Sequence, residues 1–118
     1  MKFDPRPYAE HYRAENEAEL SAIRERTSAA LVEARRLAER ILREDAGARA
    51  VILFGSLAED GPRWKDFDID LALDGGDLYT ALDSVDGSAF DFDVVRLDRL
   101  PPNVRARIYA RGIVLAKQ

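Results

Sequence analysis

The chain has 118 residues, and its 22 acidic and 18 basic side chains leave a net charge of −4. This length, with 47% apolar residues, is typical of one soluble globular domain with its own core. The absence of cysteine excludes thiol nucleophiles, disulfides and Cys/His zinc sites, and it fits a reducing compartment. No apolar stretch has the length of a signal peptide or a membrane span, so we expect a cytoplasmic protein.

Charge is distributed unevenly along the chain. Residues 59–98 contain twelve acidic and three basic side chains, whereas residues 99–118 contain five basic side chains and no acid. An acidic protein lacks the basic surface that nonspecific nucleic-acid binding requires, so nucleic acid is not an expected partner. Eleven of the twelve acids are Asp, which disfavours helix and strand interiors, and those inside apolar segments therefore need another explanation.

Residues 1–45 predict a long helix. From Ala9 to Asp45 the sequence has no Gly or Pro, and Gly47 is expected to end the helix. We expect either one helix or two helices with a break near Thr27–Ser28, as an extension that packs on a core of residues 46–118 within a single domain. Residues at steps of three and four form one apolar seam: Leu20, Ile23, Thr27, Ala30, Ala34, Leu37 and Ile41.

The remainder of the chain alternates between strand and helix patterns, bounded by Gly, Pro and Asp. The expected elements are strands at Ala48–Phe54, Asp68–Leu73, Phe90–Leu97 and Ile113–Ala116, and helices from Asp77 to Val85 and from Pro101-Pro102 to Arg111. This order predicts an α+β fold, a small mixed sheet covered by helices, with the long N-terminal helix as the main cover.

Two of these strands carry aspartates in alternation with apolar residues. Strand geometry places Asp68 and Asp70 on one face of their strand, and Asp91 and Asp93 repeat the arrangement. Neighbouring carboxylates repel each other unless a cation lies between them, and oxygen ligands select Mg²⁺ or Mn²⁺. The pattern therefore predicts a metal site, although an antiparallel sheet with one solvent-exposed face would display the same acids. Asp91 and Asp93 are alternatives for the third ligand, because the strand register is open.

A Gly-Ser pair follows the first buried strand. Gly55 lets a phosphate approach the backbone closely, and the hydroxyl of Ser56 can bind phosphate oxygens together with backbone N–H groups, if a short helix begins near Ser56. By itself, Gly-Ser after a strand is more commonly a structural turn. It is not a Walker A loop, because Gly61 is followed by Pro62.

The combination of Leu53-Phe54-Gly55-Ser56, Asp68-Ile69-Asp70-Leu71 and Asp93-Val94-Val95 resembles the minimal nucleotidyltransferase (MNT) domains of the DNA polymerase beta-like nucleotidyltransferase superfamily. The resemblance covers roughly Ala34 to the C-terminus. It implies the nucleotidyltransferase fold and Mg²⁺-dependent transfer of NMP, with AMP from ATP as the first choice, to a hydroxyl group. By the same resemblance, Gly55 and Ser56 bind the triphosphate, and Asp68, Asp70 and Asp93 bind two Mg²⁺ ions, for which Mn²⁺ can substitute. Asp93 would also help to deprotonate the acceptor.

The sequence departs from the MNT pattern at two places. MNT domains usually read Gly-Ser-x-Ala-Arg-Gly, whereas Ala58 is followed here by Glu59-Asp60-Gly61, and Phe67 replaces the Ser that commonly precedes the first Asp. These changes keep open a catalytically degenerate module that neutralises a partner by contact. Basic side chains of the loop and tail are candidate substitutes as phosphate contacts: Arg63, Lys65, Arg105, Arg107 and Arg111.

The resemblance also implies a partner, a separately encoded helical protein of the HEPN type, with this chain as the antitoxin-type half of a toxin–antitoxin pair. At about 1.5 Å per residue, the first helix is longer than the rest of the domain is wide. We therefore expect its N-terminal half, with Leu20 and Ile23, to contact this partner or a second copy of the chain.

Overall fold

The computed structural model describes residues 4–118, in which helices pack on both faces of a four-stranded sheet. Its elements are α1 (Arg6–Glu44), β1 (Ala48–Phe54), β2 (Ile69–Gly75), α2 (Leu78–Val85), β3 (Phe92–Arg96), a 3₁₀ turn (Leu97–Arg99), α3 (Pro102–Arg111) and β4 (Ile113–Lys117). The strand order is β3-β2-β1-β4, with β2 and β3 parallel and the other two pairs antiparallel. The prediction of an α+β fold with a mixed sheet and a long N-terminal helix is confirmed.

The bounds of β2 and β3 differ from the sequence prediction. β2 begins at Ile69 rather than Asp68, and it continues through Gly75 because its ladder with β1 extends to Ala48. β3 begins at Phe92 rather than Phe90, since the Phe90 N–H donates to the hydroxyl of Ser88 at 3.3 Å and stays in the preceding turn. The difference decides which aspartates belong to the sheet.

α1 is a single helix of 39 residues without a break at Thr27–Ser28. It ends at Glu44, before Gly47, so the prediction that Gly47 ends the helix is wrong. The carboxylate of Asp45 accepts hydrogen bonds from the Gly47 N–H at 3.0 Å and from the Asp77 N–H at 2.6 Å. A side chain therefore holds the turn after α1, where the sequence suggested a left-handed glycine.

Apolar side chains are buried on both faces of the sheet. On one face, Leu71 and Leu73 of β2 pack against α2 and the C-terminal half of α1, where Leu37 and Ile41 are buried. On the other face, a smaller cluster of Ile52, Ala72, Leu97 and Ile108 lies beneath α3. The face of β2 that carries Asp70 is therefore partly covered, in contrast to a fully solvent-exposed face.

The N-terminal half of α1 extends beyond the sheet. Residues 9–20 are exposed, and the longest dimension of the molecule is 72 Å. Ile23 is 8% exposed and borders a depression with Arg63 and Trp64 of the loop before β2, whereas Leu20 is 52% exposed. The premise that Ile23 would be exposed without a second protein is wrong, because Ile23 is buried within this chain. The contact of the N-terminal half of α1 with a partner or a second copy stays a prediction.

None of the helices within residues 4–118 combines the length and the apolar composition that crossing a membrane would require. Residues 1–3 of the predicted N-terminal extension lie outside the described part of the chain.

Candidate functional site

β1 ends against an acidic side chain of β2. Phe54 is paired with Asp70 in the antiparallel ladder, and the next residue, Gly55, has a φ of +78°. A Cβ atom at Gly55 would collide with the carboxylate of Asp70. Glycine is therefore required here for two reasons, the left-handed backbone and the close approach of Asp70.

Ser56 does not begin a helix. The N–H groups of Ala58 and Glu59 both donate to the Gly55 carbonyl at 3.1 Å, and the Gly61 N–H donates to the Ser56 carbonyl at 2.7 Å, so residues 55–61 form successive turns. Pro62 has no N–H with which to continue them. The expectation of a short helix at Ser56 is wrong, and Ser56 is an exposed residue of these turns.

Asp70 and Asp93 lie opposite each other on the parallel strands β2 and β3. Paired residues of neighbouring strands direct their side chains to the same face, with about 4.8 Å between the strands. Burial raises the pKa of Asp70 to about 6, with further contributions from the negative charges of Asp93 and Asp68. Asp68 and Asp93 are thus both within electrostatic reach of Asp70.

Asp91 has a different position from Asp93. It precedes β3, and its backbone carbonyl accepts a hydrogen bond from the Ile69 N–H at 2.8 Å. Only Asp93 is in register with Asp70. Asp93 is therefore the direct neighbour of Asp70, and its role as the third metal ligand stays a prediction.

The donor chemistry of Asp68, Asp70 and Asp93 fits a hard divalent cation such as Mg²⁺, because all three offer carboxylate oxygens. In their present positions, no three Asp, Glu or His side chains of residues 4–118 form a group that could hold a metal ion. Asp68 and Asp93 are exposed, so rotation of their side chains does not disturb the core. Such rotation would be needed to bring three carboxylates around one ion.

A cleft with a volume of about 440 Å³ opens beside Gly55 and Ser56. The loop before β2 forms one wall with Trp64 and Phe67, and Arg107 of α3 forms part of another. Trp64 is 69% exposed, so its ring presents an apolar surface to solvent. The volume and the mixture of apolar and polar groups are typical of sites for small molecules.

Glu59 lines this cleft and pairs with two arginines of α3. Its carboxylate lies 3.0 Å from the Arg107 guanidinium and 3.4 Å from that of Arg111. The hydrogen bond from Arg107 is the main cause that lowers the pKa of Glu59, and burial opposes it. The positive charge of Arg107, together with the hydrogen bond and charge of Arg111, adds to the lowering. Glu59 therefore stays ionised and neutralises part of the positive charge at the cleft.

Sequence reasoning considered Glu59, Arg107 and Arg111 separately and missed that they interact. The spacing of four residues between the two arginines was the available signal, because it places both side chains on one face of a helix. Of the other basic candidates, Arg63 also lines the cleft, whereas Lys65 and Arg105 lie outside its lining.

Arg26 of α1 holds the loop that forms the wall of the cleft. Its Nε donates to the Lys65 carbonyl at 3.1 Å, and its guanidinium lies 4.5 Å from the centre of the Phe90 ring. The Phe90 ring in turn lies 6.4 Å from that of Phe67, measured between the ring centres. The long helix thus supports the cleft through a side chain that sequence reasoning did not single out.

Comparison with protein-family models found no match, and comparison with curated proteins found no relative. The assignment of the site rests on its own residues.

Proposed function

We propose that this protein is a Mg²⁺-dependent nucleotidyltransferase of the MNT type that transfers NMP, in the first place AMP from ATP, to a hydroxyl group. One observation carries the proposal: the Gly55 turn lies directly against Asp70, which has Asp93 beside it. A phosphate bound at such a turn would lie next to carboxylates, and the two are compatible only with a cation between them.

The residues of the site divide into two groups by role. Gly55 and Ser56 are proposed to bind the triphosphate through the backbone and the Ser56 hydroxyl. Asp68, Asp70 and Asp93 are proposed to hold Mg²⁺, which would neutralise the triphosphate and activate the acceptor oxygen. The raised pKa of Asp70 supports this role, because a bound cation would favour the ionised carboxylate that the protein alone disfavours.

The proposed reaction is an in-line displacement at the α-phosphorus. The acceptor oxygen forms a bond to the α-phosphorus, the bond to the β-phosphate oxygen breaks, and pyrophosphate leaves. Asp93 is exposed and can accept the proton of the acceptor hydroxyl. An open site of this kind suits a hydroxyl on a protein partner, which brings its own surface to the reaction.

The proposal includes a partner and a compartment. We propose a helical HEPN-type protein as the acceptor, in a cytoplasmic toxin–antitoxin pair. The overhanging part of α1 supports a protein contact, because it exposes Tyr12 at 62% and Leu20 at 52%. A second copy of the chain is the alternative occupant, and light scattering of the protein with and without the partner distinguishes the two.

The test is intact-mass spectrometry of the partner after co-expression with this protein. We expect added AMP units with the wild type, none with Asp68→Asn or Asp70→Asn, and normal addition with Asp83→Asn, an exposed aspartate of α2 that serves as the matched control. A partner that gains no mass, yet is inhibited equally by the wild type and Asp68→Asn, would overturn the enzymatic proposal. Neutralisation by contact would then be the function.

A further inference from the structure

We propose that Arg107 and Arg111 form a binding site for a phosphate group, and that Glu59 occupies this site in the absence of ligand and thereby sets its affinity. The inference rests on the proposed function, since it concerns the same cleft. It adds a subsite and a competing side chain that the proposed roles of Gly55, Ser56 and the aspartates do not contain.

The first support is the geometry of the Glu59 carboxylate. One oxygen accepts hydrogen bonds from Arg107 at 3.0 Å and from Arg111 at 3.4 Å, and the other accepts from the Arg107 Nε at 3.5 Å. Two guanidinium groups that converge on the oxygens of one anion can bind a phosphate in the same way. The site is thus already assembled around an anionic group of the chain itself.

The second support is the location of this cluster. Gly55, Glu59 and Arg107 line the 440 Å³ cleft, and with Arg111 they also line an adjoining cavity of about 180 Å³. The arginines therefore face the same space as the Gly55 turn. A triphosphate bound at Gly55 and Ser56 would therefore lie near Arg107 and Arg111.

The third support is the exposure of the three side chains. The side chains of Arg107 and Arg111 are 64% and 65% exposed, whereas that of Glu59 is 19% exposed. The guanidinium groups are therefore accessible to an incoming anion from solvent. The Glu59 N–H donates to the Gly55 carbonyl, which fixes the backbone of Glu59 in this turn. The Glu59 carboxylate therefore stays close to the arginines and competes with an incoming anion for them.

The charges define the class of ligand. Glu59 cancels one of the two positive charges of the arginine pair, and a triphosphate or a pyrophosphate carries several negative charges that would replace it. Binding must displace Glu59 from the arginines. Removing the charge of Glu59 should therefore strengthen binding of the anion, although it removes an ion pair from the protein.

The experiment is titration calorimetry with ATP and, separately, with inorganic pyrophosphate, both in the presence of Mg²⁺. We expect Glu59→Gln to bind ATP about fivefold to tenfold more tightly than the wild type. Glu39→Gln, the same change at an exposed position of α1, should leave the affinity unchanged. Addition of Arg107→Gln to Glu59→Gln should abolish the gain. If Glu59→Gln gains as much affinity for pyrophosphate as for ATP, the arginines bind the β- and γ-phosphates. If it gains affinity for ATP alone, they bind a phosphate only when the phosphate is part of the nucleotide.

Several outcomes would overturn the inference. If Glu59→Gln has the same thermal transition as the wild type but an unchanged or lower ATP affinity, the inference is wrong. Mg²⁺-dependent ATP binding by the wild type would in that case still support the proposed function. If neither protein binds ATP or pyrophosphate, both proposals fail. The double variant Arg107→Gln/Arg111→Gln provides a second measurement that does not require Glu59→Gln to fold. An ATP affinity of the double variant equal to that of the wild type would exclude the arginines from the site.

Discussion

Asp70 and Asp93 lie side by side on β2 and β3, and this relationship makes Asp70 an unusual carboxyl group. Burial of Asp70, followed by the charges of Asp93 and Asp68, raises its pKa to about 6. Two ionised carboxylates at neighbouring positions repel each other and destabilise a fold unless a cation lies between them. The arrangement leads to predictions about stability as well as about binding.

The first prediction concerns the pH dependence of stability. The pKa of Asp70 is higher in the folded state than in the unfolded state, so the folded state binds the extra proton between about pH 4 and pH 6 and loses stability as the pH rises through this range. Asp70→Asn should remove this loss. After allowance for solvent screening, we expect the variant to be more stable at pH 7 by about 1 to 2 kcal/mol and equal to the wild type near pH 4.

Urea denaturation of both proteins at pH 4, 5, 6 and 7, without divalent cations, measures this difference. Other acids with altered pKa values, such as Glu59, are common to both proteins and cancel. A stability difference that stays constant with pH would contradict the raised pKa of Asp70.

The second prediction concerns the turn after β1. Gly55→Ala should destabilise the protein by about 2 to 4 kcal/mol, because it combines a left-handed backbone with a collision against Asp70. Gly61 has a similar φ of +80° but nothing within 4 Å of its Cβ position, so Gly61→Ala should cost only about 1 kcal/mol. Thermal and urea denaturation of the two variants isolate the effect of the contact.

Truncation of Asp70 provides the check on this explanation. In an Asp70→Ala background, the additional cost of Gly55→Ala should fall to that of Gly61→Ala. A cost at Gly55 that persists without the Asp70 carboxylate would show that the backbone alone requires glycine.

The third prediction separates the two aspartates around β3. Asp93→Asn should weaken Mg²⁺-dependent binding of ATP by at least about tenfold, because Asp93 adjoins Asp70. Asp91→Asn should change the affinity by less than about twofold, since Asp91 precedes the strand and contributes its backbone carbonyl to β2. Calorimetry with and without Mg²⁺ measures both effects, and the reverse order would assign Asp91 to the metal.

The fourth prediction concerns the wall of the cleft. Arg26→Gln should loosen the loop before β2, because it removes the interaction with Phe90 and the hydrogen bond to the Lys65 carbonyl. A loss of about 1 kcal/mol of local stability corresponds to roughly fivefold faster trypsin cleavage at Arg63 and Lys65.

Arg24→Gln is the matched control for this experiment, because Arg24 is an exposed arginine of the same helix. Its cleavage rate at the loop should equal that of the wild type. Equal rates for both variants would show that Arg26 does not hold the loop.

Local patterns of the sequence determined the elements of this fold. Apolar residues spaced three and four positions apart predicted α1. The residues of that seam from Ala30 to Ile41 are buried as expected. Period-two alternation predicted β2 with Ile69 and Leu71 inside, and Asp77 caps α2 through the Tyr79 N–H. These features follow from interactions between residues that are close in sequence, which is why one sequence suffices to predict them.

Only the tertiary structure decided how the site is assembled. The sequence placed Asp91 and Asp93 on one face, and a shift of two residues in the register of β3 would exchange them beside Asp70. Glu59 meets Arg107 and Arg111 across 48 and 52 residues of chain. Such contacts depend on how β3 pairs within the sheet and how α3 packs against it. No local pattern encodes them, because their free energy comes from surfaces that meet only after folding.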